Sequence, residues 1–469
     1  MALCRSILCA AFCLGAHAGA ASADPDAPWR DRPTATPGDD GDRHAAPPAR
    51  ARPVEGGAAV DPEDVALAGP RVVLAIPRLI LKIALTPIHA LAYVAGRYRI
   101  PERAVDLLYS DERDAAILPY VMILGGQGLT FGATAFHAGL GSRGERLSGS
   151  AAFGGVYQQA YRLSVSAPSV GGTPLALEAS TAFDVEPSQG FWGLGSAPRD
   201  DTLRPARALG PREAAVETSF SQRRFFTNLR AGWSFSRQVR LGVIGVLAHY
   251  DFEESQSDDE PSIERVYDVG RLVGFEEGFT LAEPLLDFVI DTRAPRGRPA
   301  SGLRFDTFAG GPPPQQGYGF FHAGAALTGY LDLYGGDRIL VLHAAHEMVF
   351  GADSAIPFAA LPRLGGPRRL RGYERNRLRD KRTFLAVAEY EYPIHEYVDG
   401  ALFVEMGSVG RDHEELIDPR HYRFSVGGSL LFRSRDTRLF SLQLGYGEGL
   451  QFFLTTDPFL TFSDKGEAP

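Results

Sequence analysis

The chain has very few cysteines, and all of them lie at its start. The 3 cysteines among 469 residues are Cys4, Cys9 and Cys13. They fall within residues 1–23, where a basic start, an apolar core and a small-residue cleavage site predict a secretory signal peptide. That apolar core is too short for a transmembrane helix. Its removal would leave a mature chain without disulfides, thiol chemistry or cysteine metal sites.

Two further absences narrow the class of protein. From Asp111 onward no apolar run is long enough for a transmembrane helix. No basic face dominates and the formal net charge is -9 at pH 7, so nucleic acid is not an expected partner. With 44% hydrophobic residues, the chain still has enough apolar side chains to fold.

The region before the first expected strand has two parts. Residues 24–70 are rich in Pro, Ala, Arg, Asp and Gly, and so few apolar side chains predict a disordered linker. Residues 71–116 predict amphipathic and short helices, because the polar residues from Arg71 to Tyr93 form one narrow stripe and Pro101 begins a second helix. The first helix fits a membrane surface or the mouth of a barrel, and it fits an ordinary buried helix equally well. It could also join two copies of the chain as a homodimer.

From about Ile117 the hydrophobic period changes from helical to two. Between Tyr422 and Arg433, for example, aromatic and aliphatic residues alternate with Arg, Ser and Gly. Glycine and serine on an inward face would leave a roomy, wet interior rather than a packed one. The pattern predicts sixteen strands, near 117–124, 129–138, 147–157, 160–169, 174–184, 215–235, 239–252, 284–292, 302–310, 320–333, 338–350, 384–394, 400–410, 422–433, 438–447 and 449–459.

The connections between these strands favour one topology. Long connections at 185–214, 253–283 and 351–383 all follow odd-numbered strands, whereas those after even-numbered strands are mostly short. Long loops on one side and short turns on the other are typical of outer-membrane barrels. We therefore predict an all-β fold, a 16-stranded antiparallel transmembrane β-barrel over 117–459, with a short N-terminal helical segment and a C-terminal tail at 460–469.

The first and last strands of such a barrel must meet. Within hydrocarbon an unpaired backbone group costs several kcal/mol, so an open sheet edge cannot persist there. The junction could be a weak seam, or it could be an ordinary pair of strand ends.

A cationic loop between two predicted strands is the most distinctive local feature of the chain. The tetrad Leu370–Tyr373, with the sequence Leu-Arg-Gly-Tyr, lies at its tip. An arginine drawn into a barrel lumen loses hydration and needs carboxylates to offset that loss. Glu389 and Glu405 lie on neighbouring predicted strands on either side of one turn, so both could point inward and bracket Arg371.

The other residues of the tetrad have expected roles in the same arrangement. Gly372 would permit a tight backbone turn at the loop tip, and Tyr373 would pack against the barrel wall. The alternative is a solvated basic loop at the cell surface that touches lipopolysaccharide phosphates. We predict the internal tie, because a wide polar lumen accommodates an inward loop.

The tetrad and four further segments carry a resemblance to one known family. The five segments are Leu370–Tyr373, Glu389–Ile394, Phe403–Gly410, Asp291–Gly302 and Phe191–Gly195. They resemble, in that order, the signature of the sixth extracellular loop, the two strands that follow it, the periplasmic turn between strands eight and nine, and a tract of the third extracellular loop. The family is the BamA/TamA-like superfamily of outer-membrane assembly and translocation barrels, also called the bacterial surface antigen family.

The resemblance implies an outer-membrane protein that inserts or translocates outer-membrane proteins or lipids. Its expected partners are outer-membrane lipid, lipopolysaccharide and client outer-membrane proteins. The best-known members carry periplasmic domains that capture client strands by adding them to a sheet edge. Residues 24–116 leave no room for such a domain, so this chain resembles a member without them.

No catalytic constellation is evident, so we expect no enzymatic activity, no cofactor and no metal site. His343 and His346 lie three residues apart on a predicted strand, on opposite faces, and cannot form a metal pair. The leading function is assembly or translocation. The second is a passive pore or structural barrel, plugged by its own loop and helix. The third is an outer-membrane hydrolase, which would need a Ser, a His and an orienting polar residue on the outer wall.

Overall fold

A computed structural model describes the part of the chain that forms the sheet. The described residues are 107–112, 114–124, 128–140, 144–154, 158–196, 216–256, 260–295, 298–314, 317–395, 397–433 and 438–455. The predicted signal peptide, linker, amphipathic helix and C-terminal tail lie outside them. The chain divides into two compact units, and all described residues belong to the one that contains the sheet.

Sixteen strands form one antiparallel sheet, and each strand pairs with the next one along the sheet. Two shorter strands, β12 (Arg363–Leu364) and β13 (Leu378–Arg379), pair only with each other. The sheet strands are β1 Ala115–Leu124, β2 Gly128–Ala138, β3 Arg146–Gly154, β4 Gln158–Ala167, β5 Leu175–Phe191, β6 Thr218–Ser234, β7 Val239–Glu254, β8 Phe279–Asp291, β9 Gly302–Gly310, β10 Phe321–Tyr334, β11 Arg338–Phe350, β14 Arg382–His395, β15 Val398–Gly410, β16 Arg423–Arg433, β17 Arg438–Tyr446 and β18 Leu450–Thr455.

Helices in the described part of the chain are short. The one α-helix there, α1, is His413–Ile417, and the rest are single 3-10 turns such as Phe358–Ala360. None of these helices has the length and hydropathy needed to cross a membrane.

The sixteen predicted strands are confirmed, with two boundaries that differ by several residues. β5 continues to Phe191 because, after a bulge beyond Glu186, its last residues pair with the start of β6. β8 begins at Phe279 because this residue and the next pair with the end of β7. Pro187 and Gly190 interrupt the alternation in the first case, so the sequence pattern ends before the ladder does.

The faces of the strands are arranged in the opposite way to a water-soluble sandwich. On β15, Leu402 and Val404 are 57% and 54% exposed, whereas Glu405 is only 2% exposed. On β16, Phe424 is 57% exposed and Ser425 is 1% exposed. An apolar outer face and a polar inner face are what a barrel in lipid requires.

The first and last sheet strands come together. Tyr120 of β1 packs in one cluster with Phe440 of β17 and Leu454 of β18. Because β1 and β18 stand at opposite ends of the strand order, this contact requires the sheet to curl into a ring. The predicted barrel is confirmed.

The connections differ sharply between the two ends of the ring. Residues 192–217, 255–278, 351–381 and 411–422 connect strands at one end, which we call the loop end. The other end, the turn end, has shorter connections, of which 292–301 is the longest. The predicted sorting of long and short connections is therefore present.

The two largest apolar clusters of the described residues lie inside this frame. One lies within the ring, where Leu364, Leu370 and Leu378 from the connection 351–381 pack on wall residues such as Leu385 and Val387. The other, which we call the loop-end core, joins aromatic and aliphatic residues of three long connections and the strands beside them. Its fully or nearly buried members include Phe191, Phe220, Ile263, Tyr267, Phe275, Phe279 and Phe358.

Candidate functional site

The connection 351–381 turns back into the ring as a short hairpin. Arg363 pairs with Arg379 and Leu364 pairs with Leu378, so the chain between them forms a closed loop. At its tip Leu370 has φ 83, a left-handed conformation that costs a non-glycine residue of the order of 1–2 kcal/mol. The same residue is 0% exposed, so its burial offsets part of that cost.

Arg371 lies at the centre of the site and is fully buried. Its Nε donates to Oε1 of Glu405 at 2.7 Å, and its Nη1 donates to Oε2 of Glu389 at 2.6 Å. Its backbone N–H donates to Oε2 of Glu405 at 2.5 Å. Both carboxylates are 2% exposed or less. The structure therefore brings together the arginine and the two glutamates that the sequence paired.

The strand register explains why both carboxylates reach one guanidinium. Glu389 is opposite Phe403, and Glu405 is opposite Val387, so the two glutamates are diagonal neighbours on the inner face of β14 and β15. The ring of Phe403 lies between them in the same row, 3.5 Å from the guanidinium carbon of Arg371. Two carboxylates and an aromatic face thus replace the water that the arginine has lost.

Gly372 is needed for a different reason from the predicted one. The left-handed residue of the tip is Leu370, and Gly372 is not among the residues with positive φ. Instead, a Cβ on Gly372 would lie 2.5 Å from the carbonyl carbon of Tyr446 and 2.6 Å from the nitrogen of Gly447. The expected tight turn is present, because the nitrogen of Tyr373 donates to the carbonyl of Leu370 at 3.2 Å, but it does not use a positive φ at Gly372. Close approach to the wall after β17 explains the glycine.

Further contacts hold the tip against the wall. A Cβ on Gly445 would collide with the carbonyl of Arg371. At the point where the loop tip crosses β17, this strand therefore has a residue without a side chain. Tyr373 is 7% exposed and packs within the ring, next to Gly447. The nitrogen of Glu448 donates to the carbonyl of Gly372 at 3.2 Å.

Other arginines bind the same loop to distant parts of the ring. Arg369 reaches Glu347 of β11 at 3.5 Å, and Arg375 reaches Glu186 of β5 at 3.2 Å. Arg377 donates twice to Glu448, at 2.5 and 2.6 Å. The loop is therefore fastened to β5 on one side of the ring and to β11, β14 and β15 on the other.

Sequence reasoning did not find these additional ties. Arg375 and Glu186 are separated by 189 residues, and Arg377 and Glu448 by 71. No local spacing links residues so far apart. The only available signal was the high density of arginines in the loop, which indicates a need for acids but does not identify them.

The tract Phe191–Gly195, singled out in the sequence, packs on the same loop. Phe191 belongs to the loop-end core, and the indole of Trp192 lies 5.4 Å from the guanidinium carbon of Arg377. The nitrogen of Gly195 donates to the carbonyl of Arg379 at 2.9 Å. The tract thus covers the base of the hairpin.

A carboxyl pair joins two connections at the loop end. Glu217 of 192–217 shares a side-chain hydrogen bond with Glu374 of 351–381. Partial burial, followed by the nearby carboxylates of Glu374 and Glu260, raises the pKa of Glu217 to about 7. The proton that the pair shares links the two connections.

The two histidines considered as a metal pair lie on opposite faces of β11. The Nδ1 of His343 lies 2.9 Å from the hydroxyl of Thr328 on the buried face. The Nδ1 of His346 lies 2.7 Å from the carbonyl of Thr383. Across the described ranges, no group of three or more His, Asp or Glu side chains is placed to hold a metal ion.

Comparison with known families gives a clear result. The Omp85 superfamily domain matches residues 140–447. The chain belongs to the Omp85 superfamily. The predicted relationship to BamA/TamA-like barrels is thereby confirmed at the level of the superfamily, and the match includes the loop with Arg371 and both of its carboxylates.

One solved structure shares the fold at low sequence identity, and two others match with lower TM-scores. BamA from Haemophilus ducreyi lacking POTRA domains 1-3 is 13% identical, with a TM-score of 0.54 over 73% of this chain and 69% of that chain. CdiB from Escherichia coli is 11% identical, with a TM-score of 0.47 over 72% of this chain and 61% of that one. CdiB from Acinetobacter baumannii is 14% identical, with a TM-score of 0.44 over 73% and 57%. A search of curated proteins gave no match.

Proposed function

We propose that this Omp85 barrel lies in the bacterial outer membrane and assists the insertion or translocation of outer-membrane proteins or lipids. In this proposal the connection 351–381 is a plug folded into the lumen. The observation that carries it is the tie of Arg371 to Glu389 and Glu405 inside a ring of the Omp85 fold. The proposal contains no catalytic step, no cofactor and no metal.

The faces and ends of the barrel support the proposed location. The exposed leucines, valines and phenylalanines of the outer face suit contact with lipid acyl chains. Long connections on one end suit the cell exterior, where lipopolysaccharide is the neighbouring lipid, and the turn end then faces the periplasm. The predicted signal peptide at residues 1–23 would supply the export that this location needs.

The plug makes contacts with the wall that another ligand could replace. Its contacts with the wall combine apolar packing with ion pairs through Arg369, Arg371, Arg375 and Arg377. A client carboxylate or a lipid phosphate could accept the same guanidinium hydrogen bonds when these pairs break. A client or lipid that enters the lumen would have to break these ties in sequence.

A passive or structural role is the second candidate, and one observation favours it. The plug is fastened to β5, β11, β14 and β15 at once, and Arg371 is 0% exposed. A loop held at that many points would keep the lumen closed without moving. This candidate requires no client.

Reconstitution in liposomes tests the proposal. Unfolded client barrels would be added to vesicles that carry the protein, and their folding would be followed by the heat-modifiable shift on a gel. We expect faster folding than in empty vesicles, and a loss of that gain in Arg371→Ala. Arg420→Ala is the matched control, because Arg420 is 86% exposed and pairs only locally with Asp418.

The assay also distinguishes the alternatives. Single-channel conductance without any effect on client folding would contradict the proposal and support a passive pore. Hydrolysis of the vesicle lipid would support an outer-membrane hydrolase instead.

A further inference from the structure

Two arginines at the base of the plug lie side by side without a carboxylate partner. Arg363 of β12 is directly opposite Arg379 of β13, so their side chains share one face of the strand pair and their like charges repel. Within the described part of the chain, neither guanidinium forms an ion pair. Four other arginines of the same loop each have a carboxylate partner, namely Arg369, Arg371, Arg375 and Arg377.

Arg379 is the more deeply buried of the two, at 2% exposed. Its Nη1 donates to the carbonyl of Phe358 at 3.2 Å, whereas its Nε is buried without a partner among the described residues. Its guanidinium carbon lies 5.0 Å from the ring of Phe358 and 5.9 Å from that of Phe191, and such contacts offset only part of the cost of burying an ion. Asp380 follows it on the strand and therefore points to the opposite face, where its Oδ1 accepts from the nitrogen of Lys381 at 2.8 Å.

The carboxylates of the nearby wall already have arginine partners. Arg224 of β6 donates to Asp184 of β5 at 2.6 Å, and Arg375 of the plug pairs with Glu186 of β5 at 3.2 Å. Glu186 also attracts Arg363, but the two side chains do not form an ion pair. Together with Arg379, four arginines thus share two carboxylates in this part of the described structure, and two positive charges remain without a partner.

A hydroxyl of the wall lies beside the two unpaired arginines. Tyr250 of β7 is directly opposite Arg224 on the inner face of the sheet. Its phenol interacts electrostatically with both Arg363 and Arg379, and its oxygen makes no hydrogen bond with the other described residues. Arg363 is partly exposed, so the lumen reaches this group. Two guanidinium groups and one hydroxyl therefore lie together without an acceptor.

We propose that Arg363, Arg379 and the hydroxyl of Tyr250 bind a phosphate group between the plug and the wall. A phosphate monoester carries a charge of about −1.5 to −2 at pH 7, which matches two unpaired arginines, whereas a carboxylate would match only one. Phosphate oxygens also accept paired hydrogen bonds from guanidinium groups. The chemistry is the same for a free phosphate and for the phosphomonoester of a lipid headgroup. The inference goes beyond the proposed function and does not depend on a client.

Thermal stability with and without phosphate tests the site. The full chain in detergent would be heated in phosphate-free buffer and in inorganic phosphate of the same ionic strength, with the heat-modifiable band as the measure of folding. We expect phosphate to raise the unfolding midpoint by a few degrees, because a ligand that binds only the folded state stabilises it. In Arg363→Gln this rise should be lost. In phosphate-free buffer the same variant should be at least as stable as the unsubstituted protein, because the repulsion of Arg379 is removed.

Two further variants separate the site from a general effect of salt. Arg420→Ala should keep the full rise, because Arg420 is 86% exposed and pairs locally with Asp418. Tyr250→Phe should reduce the rise, because it keeps the ring and removes only the hydroxyl. If Arg363→Gln lacks the folded band, Tyr250→Phe replaces it in the comparison. Phosphate stabilises many proteins by exclusion from their surface, so an equal rise in all variants would overturn the proposal.

Phosphorus analysis distinguishes the two sources of the phosphate. After extensive exchange into phosphate-free detergent, bound phosphorus would be measured in the lipid extract and in the aqueous residue of the unsubstituted protein and of Arg363→Gln. A surplus in the lipid extract of the unsubstituted protein identifies a lipid phosphate, and a surplus in the aqueous residue identifies a free one. Absence of both a surplus and a rise in midpoint would overturn the proposal. Neither measurement uses a client, so a protein without insertion activity could still show the site.

Discussion

At the loop end of the barrel, the long connections are held mainly by apolar packing, whereas ion pairs hold the longest connection of the turn end. The loop-end core joins three long connections through rings such as Phe191, Phe220 and Phe358. The longest connection of the turn end, 292–301, contains Arg298, which pairs with Asp399 at the start of β15. The connection 351–381 combines both kinds of contact, with Leu370 packed in the interior and Arg371 paired to the wall.

This difference has a physical reason. Long connections carry enough side chains to build a core of their own away from water, and apolar burial then stabilises them without precise pairing. A short connection cannot bury comparable area, so a charged pair with good geometry has to fix its position. The two ends should therefore respond differently to mutation, salt and pH.

The largest effect is expected from Arg371→Ala. Removal of one partner from a buried ion pair leaves Glu389 and Glu405 uncompensated and destabilises by about 3–5 kcal/mol. Denaturant unfolding followed by the heat-modifiable shift, together with limited proteolysis of 351–381, measures this. Arg420→Ala should leave both unchanged, and an unchanged proteolysis pattern in Arg371→Ala would disprove the internal tie.

Phe358→Ala should have a similar or slightly smaller effect, confined to the loop end. Phe358 is 2% exposed and its ring lies 4.9 Å from that of Phe252 and 5.5 Å from that of Phe275. Loss of such a ring costs about 3 kcal/mol or somewhat more. We expect faster proteolysis within 255–278 and unchanged proteolysis within 292–301. Simultaneous loosening at both ends would show that the two ends are coupled.

Salt should distinguish the two ends by a smaller effect. The side chains of Arg298 and Asp399 are 20% and 6% exposed, so high salt can screen this ion pair only in part. We expect proteolysis within 292–301 to become a few times faster in 1 M salt than in 0.1 M salt, since the Debye length falls from about 10 Å to about 3 Å. Proteolysis of 255–278 should not accelerate, because apolar packing is not weakened by screening. Acceleration at both ends would contradict the comparison.

The smallest expected effect is on pH dependence at the loop end. The pKa of Glu217 is raised from its ordinary 4.5 to about 7, so its contact with Glu374 requires the protonated form. The contribution of this contact is complete below pH 4.5, declines as pH rises and is lost above about pH 7. Proteolysis of 192–217 should therefore be faster at pH 8 than at pH 4.5, after correction for protease activity. Glu217→Gln should remove that dependence, and its persistence there would assign it to another group.

Much of the barrel could be predicted because its signal is local. The alternation of apolar and polar residues marks each strand wherever the outer face meets lipid and the inner face meets water. The prediction was least accurate at the ends of β5 and β8, where Phe191 and Phe279 are buried in the loop-end core rather than exposed to lipid. The two-residue strands of the hairpin at Arg363 and Arg379 have no period at all, and they form only because the loop folds back on itself.

For the candidate site, the part close in sequence was predictable and the part distant in sequence was not. Glu389 and Glu405 lie on adjacent strands joined by one short turn, so their approach to Arg371 follows from strand alternation and the charge of the loop. The tight turn at the loop tip was predicted correctly, but the reason for its glycine was not, because a glycine in a sequence indicates either a left-handed turn or a close approach. Only the position of Tyr446 decides between them.

The amino-acid sequence by itself determines three features of this protein, because each depends on residues close together along the chain. They are the number of strands, the sorting of long and short connections, and the arginine that needs two carboxylates. The ties of Arg375 to Glu186 and of Arg298 to Asp399 depend on the ring. Closure of the sheet brings residues of non-adjacent strands and connections within reach of one another, and that proximity has no counterpart in sequence separation.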